Sequence, residues 1–199
     1  MQKHDSSTWL RSIQIGCGLV SLILPSLVFL LGFPTPSADF IIIVLSIALL
    51  SVGIERIFLG LLLFRSTVHE SHRHTKSNYV TNLILGAFAL IFATIALLSP
   101  MTVAKLPEIL LSISLSVMFN GFGRIFQGAL PRGQPLSFRL IILGLGCLSV
   151  GTSIFVGNSQ IFGIVFPIRI LLGVLIIQGF ALIIFGIIGK YSIEQVLRK

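Results

Sequence analysis

Six long apolar runs occupy most of this chain, and they recur as three copies of one two-run unit. The runs are residues 13–32, 41–64, 80–99, 106–130, 138–156 and 170–189. Each is close to the ~20 residues that a helix needs to cross a bilayer. Lipid offers a backbone no hydrogen bonds, so a spanning segment must satisfy its own, and continuous apolar runs of this length do so as helices. The strands of a membrane barrel would read as short alternating segments instead. The sequence thus predicts an all-α polytopic membrane protein, with six transmembrane helices in three parallel two-helix repeats. Composition agrees: 10% of residues are charged, where a soluble domain carries roughly a quarter. No stretch is polar enough for a second domain, so residues 1–199 form a single membrane domain. The first run resembles a signal peptide followed by a small-residue stretch, but its apolar core is too long for one, and it reads as a retained helix.

The copies cover about residues 9–66, 79–131 and 138–190, and the second run of each carries the same small-residue seam. It reads Gly53-Ile54-Glu55-Arg56-Ile57-Phe58-Leu59-Gly60, then Gly121-Phe122-Gly123-Arg124-Ile125-Phe126-Gln127-Gly128, then Gly179-Phe180-Ala181-Leu182-Ile183-Ile184-Phe185-Gly186. Glycines seven residues apart share one helix face, and such a face lets two backbones approach closely in lipid. The first runs align on Gly16, Gly86 and Gly144, placed 37, 35 and 35 residues before the seams. An even number of spans per copy inserts all three copies in the same direction. The connections after the first run of each copy contain Pro34, Pro36, Pro100, Pro107 and Pro167, and Pro25 sits inside the first run.

Three hairpins with glycine-rich first helices and these G-x6-G second helices resemble the HdeD acid-resistance membrane-protein family, over about residues 13–189. The resemblance implies a six-helix protein of the prokaryotic plasma membrane, linked to survival of acid stress. It supplies no catalytic residue. The Glu55–Arg56 pair and the histidine-containing loop stand outside it.

The net charge of +8 is sorted by side rather than gathered into a nucleic-acid patch. With both termini cytoplasmic, one side holds Lys3, Arg11, Arg65, Arg73, Lys76, Arg132, Arg139, Lys190, Arg198 and Lys199, and the other Lys105 and Arg169. That asymmetry is the positive-inside pattern, and it draws the inner face toward anionic lipid headgroups. The expected partners are therefore the bilayer and its anionic lipids, with a second copy or a membrane complex as further candidates and no nucleic acid.

Charge inside the spans is rare. Glu55 and Arg56 lie deep in the second run, Arg124 repeats the Arg56 position, and Leu182 replaces it in the third copy. A charge at bilayer depth costs about 3 kcal/mol on insertion scales, so it is paired or functional. The expectation is a Glu55–Arg124 pair across copies, with Arg56 reaching toward the inner interface. Asn120, Arg124 and Gln127 share one face, and with Gln178 and Gln14 they form a candidate polar seam of interhelical hydrogen bonds. Span serines such as Ser46, Ser51, Ser112, Ser114 and Ser116 are expected to bond carbonyls one turn back. Cys17 and Cys147 are expected to be packing residues.

The longest connection, residues 65–79, contains His69, His72 and His74, a candidate pH sensor because histidine titrates near neutrality; Arg73 and Lys76 beside them disfavour a metal. Motifs for metalloprotease, hydrolase or P-loop chemistry are absent, and no cofactor is implied. The leading expectation is a non-enzymatic, HdeD-like plasma-membrane protein of acid or stress resistance. The alternatives are a small channel or transporter using the seam around Glu55, Arg56 and Arg124, and an accessory subunit of a larger membrane complex.

Overall fold

The computed structural model describes residues 3–31, 38–67, 73–99, 105–129, 136–158 and 165–188. They form six helices: α1 (Lys3–Leu30), α2 (Ala38–Thr67), α3 (Arg73–Leu98), α4 (Leu106–Ala129), α5 (Leu136–Gly157) and α6 (Val165–Ile188). No strand occurs among the described residues. Every helix contains a stretch long and apolar enough to cross a membrane, from Arg11–Leu30 in α1 to Val165–Ile188 in α6. The chain is therefore a multi-pass integral membrane protein. α6 starts earlier than the apolar run suggests, because Pro167 joins its first turn rather than the preceding connection. A proline there gives up an N–H that no helical carbonyl would accept. α1 likewise continues through Pro25.

The helices close into a ring in chain order, with α6 returning to α1. The second helix of each copy packs more closely on the first helix of the next copy than on its own hairpin partner. The intimate antiparallel pairs are thus α2–α3, α4–α5 and α6–α1. All six seam glycines are buried in these pairs. Gly53 meets Leu90 and Gly60 meets Leu83; Gly121 meets Val150 and Gly128 meets Leu143; Gly179 meets Leu22 and Gly186 meets Ile15. A Cβ on Gly179 would lie 2.8 Å from the Gly18 carbonyl oxygen, and one on Gly18 would lie 2.9 Å from that of Gly179. Gly121 and Gly146 face each other in the same way, at 2.9 Å in both directions. Backbones this close exchange Cα–H···O contacts and wide dispersion contact, which replace the missing hydrophobic driving force between helices in lipid.

These contacts correct the register of the first helices. Gly86 packs on Ile57, Gly146 on Ile125 and Gly18 on Ile183. Gly18, not Gly16, is therefore equivalent to Gly86, and Gly146, not Gly144, completes the set. Gly16 and Gly144 have nothing within 4 Å of a would-be Cβ. A sequence offset of two residues is easy to make where glycines recur at i and i+2, because only one of the two can face the neighbouring helix.

The first halves of α2, α4 and α6 meet in one aliphatic core. Ile42, Leu45 and Leu49 join Leu110, Ile113 and Val117, and Ile168, Leu171 and Leu175. By repeat register these are three successive rings of three side chains. The outward faces carry residues such as Leu19, Ile84, Phe126, Ile154 and Ile184, all exposed, which is the arrangement a hydrocarbon solvent favours. Cys147 is also exposed and does not pack inward, and Cys17 is partly buried. At the α4–α5 connection, Arg139 donates to the carbonyls of Gly128 (Nε, 3.0 Å) and Ala129 (Nη2, 2.8 Å). It thereby satisfies terminal carbonyls that α4 leaves without helical partners.

The span serines divide into two groups. Ser112 bonds the Glu108 carbonyl one turn back, as expected. Ser114 instead donates to the Ser153 carbonyl of α5 at 2.7 Å, and Ser116 to the Ala89 carbonyl of α3 at 2.9 Å. Ser51 bonds Ala48 within α2 and Ser21 of α1. The buried Ser46 hydroxyl has no partner. Ser114 and Ser116 thus act as cross-links, because a neighbouring backbone lies within their short reach.

Candidate functional site: a buried guanidinium–amide layer

Below the aliphatic rings, toward the C-terminal ends of α2, α4 and α6, the interior turns polar. Glu55, Arg56, Asn120, Arg124 and Gln178 expose 6%, 2%, 1%, 4% and 2% of their surface. Every helix contributes: Gln14 from α1, Glu55 and Arg56 from α2, Asn82 from α3, Asn120 and Arg124 from α4, Ser149 from α5 and Gln178 from α6, all of them buried. Repeat register places Val52, Asn120 and Gln178 in one ring and Arg56, Arg124 and Leu182 in the next.

Arg56 is the anchor. Its Nε donates to Asn120 Oδ1 at 2.9 Å and its Nη1 to Asn82 Oδ1 at 3.5 Å. It does not reach for the interface as the sequence led one to expect; two amide oxygens hold it in the interior. Gly123 makes the space, since a Cβ there would overlap Arg56 Nη1. Gly123→Ala is therefore expected to push the guanidinium off Asn120 and to lower stability by about 2 kcal/mol, one charged hydrogen bond plus local crowding. Thermal melting of the purified variant measures this, and an unchanged melt would mean that the guanidinium has other room.

Glu55 accepts a hydrogen bond from Gln14 Nε2 at 3.3 Å. The expected direct ion pair with Arg124 is not found among the described residues. Glu55 nevertheless acts electrostatically on both Arg56 and Arg124, and the two arginines repel one another. Gln178 donates to Ser149 Oγ at 2.6 Å, and the Ser149 hydroxyl donates in turn to the Leu145 carbonyl oxygen at 2.7 Å. Gln127 lies at the edge of the layer, half-buried. Two donors in the layer have no partner: Asn120 Nδ2 and Arg124 Nη2.

Asn82 and Ser149 escape a reading of the sequence alone, and the corrected register shows why. With Gly18 and Gly86 equivalent, Gln14 and Asn82 occupy the same position in successive copies. One serves Glu55 and the other Arg56, the two adjacent charges deep in α2. The two-residue offset hid that equivalence. His69 and His72 lie outside the described residues, as does the side chain of His74.

Guanidinium groups offer hydrogen-bond donors and positive charge, and the side-chain amides offer both donors and acceptors. Comparison with protein families, curated proteins and solved structures returns no match.

Proposed function

We propose that this chain is a non-enzymatic, HdeD-like protein of a prokaryotic plasma membrane that supports acid or stress resistance, with both termini in the cytoplasm. The observation that carries this reading is the threefold glycine seam, the feature on which the resemblance rests, which here joins each copy to the next and α6 to α1. The sided distribution of Lys and Arg supports the orientation. The three aliphatic rings of α2, α4 and α6 seal the axis, so the geometry favours a closed membrane bundle over a standing pore.

The test is survival of an acid-sensitive bacterium expressing the chain. Expression is expected to raise the surviving fraction after acid shock, and Gly179→Leu to abolish the gain. Equal survival with and without a verified, membrane-inserted protein would remove the acid-resistance role.

A further inference from the structure

We propose that the buried guanidinium–amide layer is a binding site for one small monovalent anion of the halide class. Three observations converge on it.

The first is orientation. Arg56 is a donor only, so the amide atom it meets on Asn120 has to be Oδ1. That fixes the amide and turns Nδ2 away from Arg56, where it finds no acceptor. Arg124, one turn further along α4, presents Nη2, also without an acceptor. Residues four apart share a helix face, so Asn120 and Arg124 are neighbours on one side of α4.

The second is burial. Asn120 and Arg124 expose 1% and 4% of their surface. Bulk solvent does not serve these N–H groups, and a buried donor without an acceptor is costly.

The third is charge. Two guanidiniums share the layer with one carboxylate, Glu55, whose hydrogen bond comes from Gln14. The layer keeps one positive charge in excess. A water molecule would accept the two free hydrogen bonds and leave that charge in place. A monovalent anion supplies the acceptor and removes the charge together. A divalent anion would overshoot.

The inference stands apart from acid resistance, because binding is measured on the purified protein. Chloride replaces gluconate stepwise at constant ionic strength, with the protein in detergent or nanodiscs. The readouts are melting temperature and chloride-35 line broadening. In the native protein both are expected to respond saturably, as for any ligand that binds the folded state. Arg124→Leu, the residue that the third copy carries at this register, is expected to abolish both responses. Asn120→Val, the first copy's residue, is expected to weaken binding about tenfold, the loss of one hydrogen bond to a charged acceptor. Lys105→Ala is expected to change neither. A native protein that melts identically in chloride and gluconate without line broadening overturns the proposal, and so does an Arg124→Leu variant that responds like the native protein. If Arg124→Leu does not fold, the native titration and Asn120→Val decide.

Discussion

Gly179→Leu is expected to open the bundle where α6 closes on α1, whereas Gly144→Leu leaves it folded. Both are glycine-to-leucine changes in the third copy, and their helix propensities are alike. They differ in what the new side chain meets. At Gly179 the nearest atoms to a Cβ are the Leu22 nitrogen at 2.7 Å, the Gly18 oxygen at 2.8 Å and the Leu22 Cα at 3.0 Å. All three are backbone, and none can rotate away. The helices must separate along their length, losing the reciprocal contact between Gly18 and Gly179. The cost is about 3 kcal/mol or more, the upper range for overpacking, and it falls on the junction between the first and last helices of the ring. At Gly144 nothing lies within 4 Å, so the leucine enters open space and the effect stays within about 0.5 kcal/mol. Gly53→Ala falls between them, because its nearest neighbours are side-chain atoms of Leu90, which can shift to another rotamer. Melting in detergent, with gel filtration for compactness, orders the three variants. Equal melts for the Gly179 and Gly144 variants would mean that close backbone approach does not hold this ring together.

That contrast also marks how far the sequence could be read. Run length and apolarity are strong, local signals, and all six helices follow from them. The seam glycines at a spacing of seven were legible because they repeat three times. Which helix each seam faces was not legible: a glycine stripe shows that a neighbour comes close, not which neighbour. The next copy's first helix is the closer neighbour, ahead of the hairpin partner. Gly16 and Gly18 are indistinguishable in sequence, and the choice between them became visible only through Gly179 and Ile183 across the interface. The same limit explains Arg56. Its burial depends on Gly123 and Asn120 of α4 and Asn82 of α3, residues far away in the chain whose convergence no local pattern encodes. Helix register decides such placements, and a shift of two residues turns a side chain by more than half a turn.

Glu55→Gln is expected to cost about 3 kcal/mol, and adding Arg124→Leu to recover most of that loss. Glutamine keeps the shape of the side chain and the acceptor that Gln14 uses, so the substitution removes charge and little else. What remains are two guanidiniums in a buried layer with no carboxylate to balance them. Removing one partner from a buried charge group typically costs about 3–5 kcal/mol, because the survivor is left uncompensated. The low end applies here, since Glu55 does not touch Arg124 and acts across a gap. Arg124→Leu in the same background returns the layer to a single excess charge and removes the unpartnered Nη2 donor. It also installs the residue that the third copy already accommodates as Leu182, 3% exposed. A double-mutant cycle on melting free energies isolates the coupling. Because the two groups are not in contact, a coupling of the expected sign would establish that charge balance across the whole layer, rather than one ion pair, stabilises this half of the bundle. Simple additivity of the two substitutions would show that Glu55 and Arg124 are energetically independent, and the layer would then be held by its amide hydrogen bonds alone.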